Sequence, residues 1–440
     1  MNRVLKVLLL GICIISILIA GSCGKKPVPA ANSPDTASAA PSPREDHITL
    51  KLWHIWSTDS DSNKKPFQKA LEKWKNENPE IGIITDATES ETYKIKIRTA
   101  VAVNEAPDIF FAWGAGFAKP FVDAGKVLAL DEYLDQDTLD KLQPGILKNF
   151  TYDGKIYGLP TFMIAGILYC NTELFEKYNV KIPETYDELL EAVRIFRENN
   201  ITPMAVGLKD GWPGIFYQNI LAIRTAGIEK CIAALSKEAS FFQPEFIESA
   251  ERLIKLIDAG AFHERCIQYT QHEAELTFLS GRVPMYYGGS WAAGSMDRIG
   301  CPVRGKVAVR NFPVIEGASG DPNGFLGGAI DSFMISASTM YKKEAVKALT
   351  SILVDFCEES YLAGAGIPAW KVDVDTSRVN PLAVEIMKLL EERDGFVLAW
   401  DTFLSGSDAQ THINLVTDLF LHKIDAEEFA IKMQQLNVKK

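Results

Sequence analysis

The residues best suited to ligand recognition in this sequence are tryptophans. The chain contains eight of them, and an indole ring offers a flat apolar face on which the C–H face of a pyranose ring can pack. Trp74 lies on the apolar stripe of a predicted helix, so we expect it in the core. Trp113 follows a predicted strand, and Trp212 follows a glycine-containing segment. Tryptophans at loop positions favour a binding surface over a purely structural role.

A further aromatic group lies at the end of the first predicted strand. Trp53 and Trp56 lie in or just after this strand and face opposite sides if it extends that far, so at most one should face a cleft. We select Trp56, together with His54, as candidate ligand-binding residues. His54 could equally be a surface imidazole beside the strand.

Motifs for metal-dependent or nucleophilic catalysis are absent from the sequence. His272-Glu273 has no second histidine at zincin spacing, and residues 288–292 lack the final glycine of a nucleophile elbow. No phosphate-binding loop is present either, so we expect no metal and no cofactor. An enzyme that hydrolyses sugars would need two carboxylates ~5 to 9 Å apart. A distance of this kind cannot be read from a sequence.

Charge and cysteine content exclude other classes. The net charge is −11, which argues against a nucleic-acid partner. The sequence contains no C-x-x-C pair of the kind that binds zinc or performs redox chemistry, and nothing in it requires a disulfide. The cysteines beyond the first 23 residues are Cys170, Cys231, Cys266, Cys301 and Cys357.

The N-terminal segment has the pattern of an export signal. Basic residues Arg3 and Lys6 precede an apolar run that is too short for a bilayer-spanning helix. The run ends in residues 20–23, Ala-Gly-Ser-Cys, which resemble the lipobox of bacterial lipoproteins. We therefore predict a signal peptide at residues 1–22, an acylated Cys23 and a proline-rich tether to residue 47. An ordinary secretory signal is the alternative.

The remainder alternates between strand and helix patterns. Apolar residues at strand spacing begin at Ile48, and a helical stripe through Trp74 should end at Asn78-Pro79. The β-α-β-α-β order predicts an α/β fold with mainly parallel sheets and a ligand site at the carboxyl ends of the strands. Roughly 390 residues follow the tether, which favours two domains.

Several stretches together resemble the family 1 extracellular solute-binding proteins, the maltose-binding type that delivers oligosaccharides to ABC importers. They occur in the order of that family, and the resemblance extends over nearly the whole chain after the tether. The stretches are residues 67–79, APDIF at 106–110 with Trp113, AGKVLAL at 124–130, GKIYGLPT at 154–161, LYCNTELF at 168–175, PETYDELL at 183–190, FLSGRVPM at 278–285 with Trp291, and residues 327–336 with 343–345.

The resemblance implies a two-lobed, periplasmic-binding-protein-like α/β fold of type II, with the ligand cleft between the lobes. Lobe one would comprise residues 48–161 plus 328–366, and lobe two residues 162–327 plus 367–440. Crossings would lie near residues 160–165, 325–329 and 367–370. The small residues Gly327-Gly328 and Gly364-Ala365-Gly366 could absorb hinge rotation.

The resemblance also implies a function and a set of partners. The chain would be the noncatalytic substrate-binding component of an ABC importer. It would capture an oligosaccharide and deliver it to the permease subunits, as a monomer anchored by lipid to the periplasmic or outer cell-surface face. The alternatives are a binder of a polyamine or peptide, or an exported carbohydrate-active enzyme.

The resemblance adds site residues to this interpretation. Trp113, Trp212 and Trp291 match positions where relatives contact sugar, and Trp400 matches one more loosely. Asp331 and Asp401 are carboxylates that could each accept two sugar hydroxyls. An isolated aspartate can equally be a helix cap or a solvated turn residue.

Overall fold

The computed structural model describes residues 48–438, so the predicted signal peptide, Cys23 and the tether lie outside the described residues. Strands and helices alternate through these residues, as the α/β prediction requires. The strands are β1 (Ile48–His54), β2 (Ile81–Ala87), β3 (Ile109–Trp113), β4 (Thr151–Tyr152), β5 (Lys155–Ile156), β6 (Gly158–Pro160), β7 (Met163–Asn171), β8 (Met204–Ala205), β9 (Met285–Gly289), β10 (Val307–Arg310), β11 (Gly324–Ala329), β12 (Asp331–Ile335) and β13 (Gly395–Val397).

The α-helices range from one turn to 22 residues. They are α1 (Lys64–Glu77), α2 (Ser90–Ala102), α3 (Lys119–Asp123), α4 (Gln136–Asp140), α5 (Thr172–Lys177), α6 (Tyr186–Glu198), α7 (Trp212–Ala226), α8 (Ile228–Leu235), α9 (Pro244–Asp258), α10 (Gln271–Leu279), α11 (Ala293–Met296), α12 (Lys342–Ala363), α13 (Pro381–Glu391), α14 (Trp400–Phe403), α15 (Gly406–Phe420) and α16 (Ala426–Val438). Short 3-10 helices cover Ile146–Phe150, Cys266–Gln268, Ser290–Ala292 and Thr376–Arg378.

Local sequence signals correctly predicted where several helices begin or end. Helix α1 ends immediately before Asn78-Pro79, because the residue preceding a proline is disfavoured in helical conformation. Helix α6 begins after Thr185, whose side chain accepts a hydrogen bond from the Glu188 amide in a complete capping box. Trp74 is fully buried, which confirms its predicted place in the core.

The first sheet forms the centre of lobe one. Its five strands have the order β2-β1-β3-β12-β6. The predicted parallel arrangement holds for β1 with its neighbours β2 and β3. Strand β12 then runs antiparallel to both β3 and β6. Helices α1 and α12 pack against each other on this lobe.

The second sheet does not follow the prediction of mainly parallel strands. Its path is β13-β11-β7-β9-β8, with β10 paired to β7, and β7 runs antiparallel to β9, β10 and β11. The physical reason is that β7 enters this sheet directly from the first one, whereas β11 leaves it directly toward the first one, so the two strands run in opposite directions. Such extended connections replace the helical crossovers that produce parallel neighbours.

Two extended connections join the lobes. Strand β6 ends at Pro160 in the first sheet, and β7 begins at Met163 in the second. Strand β11 ends at Ala329 in the second sheet, and β12 begins at Asp331 in the first. Where β11 pairs with β7, Gly327 has φ of 138° and Gly328 has φ of 121°. These values favour glycine, and a Cβ on Gly327 would lie 2.2 Å from the Ile164 carbonyl oxygen.

The third connection lies later than the sequence predicted. Ile367 forms a bridge with Met163, but Ala369 and Trp370 pack in the core of the first lobe. The Trp370 indole N–H donates to the Pro160 carbonyl at 2.7 Å. Helix α13 then packs against β10 of the second sheet. We therefore move this boundary beyond Trp370, and the other lobe limits stay predictions.

Candidate binding site

The candidate site lies where the two lobes meet. The loops that follow β1 and β3 in lobe one contact α10, α11 and α14 in lobe two. The hydrogen bonds join Ser60 Oγ to His272 Nε2 (3.3 Å), Ser62 Oγ to Ser295 Oγ (2.9 Å), Arg298 Nη2 to the Ser60 carbonyl (3.0 Å), and the Gly116 amide to the Thr402 carbonyl (3.0 Å). The loops after β1 and β3 leave the carboxyl ends of parallel strands, where open α/β sheets bind ligands.

Two predicted tryptophans form an aromatic pair in lobe two. The ring centroids of Trp212 and Trp291 lie 6.3 Å apart, and both rings contact Phe216. Both indoles are partly exposed. A Cβ on Gly289 would lie 1.9 Å from the Trp291 ring, so the indole can fold back over this strand end only because residue 289 is glycine. The pair provides apolar surface suited to a sugar ring.

Trp113 lies at the carboxyl end of β3 but is only 8% exposed. Its ring packs edge-to-face against Phe111 and Phe117, with centroid distances of 4.9 and 5.0 Å. The Lys94 ammonium lies 5.2 Å from its ring centroid, within cation–π range. Trp113 therefore forms part of the wall of lobe one, with less free surface than the pair in lobe two.

Asp331 lies beside Trp113, because the two residues are direct partners in the β12–β3 ladder. The pKa of the Asp331 carboxyl is raised to about 7, mainly by loss of hydration and also by the Asp61 carboxylate, while Lys94 opposes the rise. Thr161 donates to the Asp331 backbone carbonyl, which fixes the main chain and leaves the carboxyl free for a ligand.

Asp401 approaches the same region from lobe two on helix α14. Burial raises the pKa of its carboxyl, and Lys94 and Arg98 of lobe one oppose that rise. Lys94 thus interacts with the carboxyls of both Asp331 and Asp401, and its ammonium lies 2.7 Å from the Glu91 carboxylate. Lys94 therefore lies close enough to lower the pKa of both predicted aspartates, although its ion pair is with Glu91.

Further polar residues of the site were missed by sequence reasoning. Asp61 follows β1, and desolvation raises its pKa to about 6. Glu275 is buried on α10, where desolvation raises its pKa to about 7, and it accepts a hydrogen bond from Gln271 Nε2 at 2.7 Å. The position of Asp61 just after the first strand was a usable signal. Glu275 carried none, since its place depends on how α10 packs.

Three predicted site residues lie in the cores of the lobes in this structure. Trp56 is 3% exposed and packs on Phe67 and Phe356, with centroid distances of 5.0 and 4.6 Å. His54 is 7% exposed, and burial lowers its pKa to about 4. Trp400 is completely buried in lobe two. Hydrophobic burial accounts for all three, so none presents a face to a solute in this conformation.

Trp400 nevertheless contributes to the site indirectly. Its backbone amide donates to Asn219 Oδ1 at 3.0 Å, and its ring stacks on the buried His412 at a centroid distance of 5.2 Å. These contacts hold the start of α14 and thereby position Asp401. Trp400 is an anchor for the element that carries the carboxylate.

Residues 48–438 contain no group of three or more His, Cys, Asp or Glu side chains that could hold a metal ion. All five of their cysteines are free thiols. None of their helices is long and apolar enough to cross a membrane.

Two lobes, their strand connections and an aromatic, carboxylate-lined site between them define a solute-binding protein. The sequence profile described as bacterial extracellular solute-binding protein matches residues 58–353. The chain belongs to this family, and its two-lobed α/β fold of the maltose-binding type is confirmed. Membership of an extracellular family also makes it an exported protein.

The most informative relatives are sugar-binding proteins. The multiple sugar-binding protein of Streptococcus mutans is 24% identical over 388 residues, which cover 86% of this chain and 85% of that protein. A structure from a study of xylan utilization by the thermophilic bacterium Caldanaerobius polysaccharolyticus is 42% identical, with a TM-score of 0.86, and the match covers 88% of this chain and 100% of that one. A chitin oligosaccharide binding protein has 26% identity and a TM-score of 0.81 over 89% of this chain and 98% of that one.

Proposed function

We propose that this protein is the substrate-binding component of an ABC importer and captures an oligosaccharide between its lobes. The observation that carries the proposal is the partly exposed Trp212–Trp291 pair, in which Trp291 packs against the hydrophobic cores of both lobes. Aromatic faces bind the apolar side of a sugar ring, while carboxylates accept hydrogen bonds from its hydroxyls. The names of the related proteins support the same ligand class.

A thermal-shift screen of the purified protein tests this proposal. The first ligands are fragments of xylan and chitin, followed by maltose-series oligosaccharides. A ligand present at 100 times its dissociation constant stabilises the folded state by ~2.7 kcal/mol, which gives a measurable rise in melting temperature. No shift with any of these sugars would contradict the oligosaccharide proposal.

A cationic solute such as a polyamine is the second candidate. The observation that favours it is the group of desolvated carboxylates at Asp61, Glu275, Asp331 and Asp401. Spermidine belongs in the same screen. Stabilisation by spermidine without stabilisation by sugars would favour this candidate, since an aromatic pair is not needed to bind a flexible polyamine.

We further propose that the protein is noncatalytic. Its relatives are solute-binding proteins, and a transport protein must release its solute unchanged. Incubation with the sugars that shift the melting temperature, followed by product analysis, tests this point. Appearance of shorter sugars would show an enzyme instead.

The predicted lipid anchor also belongs to the proposal. Acylation of Cys23 and the tether after it would keep a monomeric binding protein near the permease that receives its solute. Cys23→Ser should abolish incorporation of labelled fatty acid and release the protein from membranes. A variant that still carries label and fractionates with membranes would overturn the anchor.

A further inference from the structure

Tyr287 lies directly behind the aromatic pair of the proposed sugar site. It belongs to strand β9, and its ring contacts Phe216 at a centroid distance of 6.5 Å. Phe216 in turn contacts Trp212 at 5.2 Å and Trp291 at 6.4 Å. The phenol ring is therefore part of the same aromatic cluster as the two tryptophans, and it adds a hydroxyl group to that cluster.

The Tyr287 hydroxyl is buried and has no hydrogen-bond partner among residues 48–438. The other buried tyrosines of these residues all have one. The hydroxyls of Tyr93, Tyr169, Tyr186 and Tyr217 donate to backbone carbonyls at 2.6 to 3.1 Å, and that of Tyr286 accepts from Gln271 Nε2 at 2.9 Å. An unpaired hydroxyl away from water costs free energy. A partner that arrives with the ligand would explain why this one is retained.

Two facing glycines bring the hydroxyl next to Trp291. Gly166 of β7 and Gly289 of β9 are direct partners in the antiparallel ladder. A Cβ on Gly166 would collide with the Tyr287 hydroxyl oxygen, and a Cβ on Gly289 would collide with the Trp291 ring. Directly opposite Cβ positions are about 5 Å apart, so the hydroxyl lies beside the indole on one face of the sheet. Gly166 also lies close to Met163, where β7 begins after the connection from lobe one.

The space behind Trp212 limits the size of a partner. Tyr287 and Trp212 both line a cavity of about 10 Å³, together with Gly288 and Gln271. This volume holds roughly one water molecule and is far too small for a sugar ring. A ring stacked on the indoles can insert a single hydroxyl here. A sugar hydroxyl both donates and accepts, and so does the phenol hydroxyl.

We propose that Tyr287 is a specificity-determining residue that hydrogen-bonds one hydroxyl of the sugar ring stacked on Trp212 and Trp291. The inference rests on the proposed sugar-binding function and adds a polar contact to the stacking surface. The partly exposed Trp291 side chain shifts over its glycine to admit the sugar hydroxyl. Stacking holds any pyranose with an apolar face, whereas a buried phenol hydroxyl rejects a sugar that leaves it unpaired.

Tyr287→Phe tests this contact because it removes only the hydroxyl. Calorimetry measures Kd for xylotetraose and for the tetramer of N-acetylglucosamine, and thermal unfolding measures stability without ligand. We expect Kd to rise about tenfold for the sugar that the wild-type protein binds more tightly. The melting temperature without ligand should stay the same or rise, since the variant no longer buries an unpaired hydroxyl.

Tyr217→Phe is the matched control. This buried tyrosine of lobe two donates its hydroxyl to the Ala205 carbonyl at 3.1 Å, so its loss should lower the melting temperature and leave Kd unchanged. An unchanged Kd in Tyr287→Phe overturns the inference whatever its melting temperature. Early melting with unchanged Kd, or failure to fold, would assign the Tyr287 hydroxyl a structural partner such as a buried water.

Monodeoxy sugars identify the hydroxyl that Tyr287 contacts. Tetramers that each lack one hydroxyl are compared between wild type and Tyr287→Phe. One of them should bind wild type about tenfold more weakly than the parent sugar does, yet bind Tyr287→Phe as well as the parent does. If every deoxy sugar loses the same affinity in both proteins, the inference is wrong and the sugar-binding function stands. Failure of both parent tetramers to bind wild type overturns the proposed function, and the inference with it.

Discussion

The Trp212–Trp291 pair allows a test that separates binding from folding at the scale of single residues. Replacing either residue with alanine should weaken oligosaccharide binding by about 1 to 3 kcal/mol, by analogy with bases stacked on aromatic side chains. Both indoles are partly exposed, so the melting temperature should change little. Trp113→Ala should lower both affinity and stability, since only 8% of that side chain is exposed.

Trp74→Ala is the matched control for these variants. It truncates a fully buried ring and should cost ~3 to 5 kcal/mol of stability. Calorimetric Kd and melting temperature are measured for all four proteins. Normal affinity combined with early melting in the Trp212 and Trp291 variants would assign both residues to the core.

The raised pKa of Asp331 predicts a pH dependence with a definite sign. The folded protein holds this proton up to about pH 7, whereas the unfolded chain releases it near 3.8. The folded state therefore binds more protons between these values, and its stability falls as pH rises through them. Asn cannot titrate, so Asp331→Asn should melt progressively later than wild type as pH increases from 5 to 8, by on the order of a few degrees.

The comparison uses ligand-free protein, and Asp373→Asn serves as the exposed control. A melting-temperature difference between Asp331→Asn and wild type that stays constant from pH 5 to pH 8 would contradict the prediction. A constant difference would mean that ionisation of the Asp331 carboxyl does not destabilise the folded protein at neutral pH.

The burial of Trp56 was predictable from the residue pattern of the first strand. Every second residue along this segment is buried, namely Leu50, Leu52, His54 and Trp56. Period-two alternation places residues of one parity on one face of a strand, so the leucines already indicated that Trp56 faces the core. Trp53, on the opposite parity, is partly exposed with the Lys96 ammonium 4.1 Å from its ring centroid.

At the scale of elements, features set by neighbouring residues were predictable from the sequence, whereas features set by distant contacts were not. The ends of α1 and α6 depend on Asn78-Pro79 and on Thr185 with Glu188, which are adjacent in sequence. The antiparallel second sheet depends on strands far apart in the chain, such as β7 with β11. The buried position of Trp400 depends likewise on packing against Phe241 and His412. Local sequence patterns do not indicate which distant residues will be in contact.

Gly116 allows a test of the contact between the β3 loop and α14. Its amide donates to the Thr402 carbonyl, and an added Cβ would lie 2.3 Å from the Phe403 carbonyl oxygen and 2.4 Å from that of Leu404. These atoms belong to the opposite lobe, so a methyl group should oppose closure while leaving each lobe intact. Gly116→Ala should weaken oligosaccharide binding at least tenfold, with an unchanged melting temperature without ligand.

The matched control for this variant is Gly82→Ala. A Cβ at Gly82 would meet the rotatable Thr49 side chain of the neighbouring strand, at 3.3 Å. The contact lies within lobe one and should not affect affinity. Unchanged Kd in Gly116→Ala would mean that the β3 loop and α14 need not approach closely when ligand binds.

At the scale of the whole molecule, the strand connections predict closure around the ligand. The connections through Gly327 and Gly328 can change backbone direction at little steric cost, and the polar contacts between lobes are few. Without ligand, the buried carboxyls disfavour the closed form, because Asp61 of lobe one raises the pKa of the desolvated Glu275 carboxyl of lobe two. Sugar hydroxyls would compensate these groups, so closure should be coupled to binding.

Small-angle X-ray scattering measures this coupling directly. The radius of gyration should decrease when saturating oligosaccharide is added to the wild-type protein, and it should decrease less in Gly116→Ala at the same occupancy. The Trp212→Ala variant, saturated at a higher sugar concentration, should still close, since its defect lies in the stacking surface. An unchanged radius in saturated wild type would contradict the clamp and require a site formed by one lobe alone.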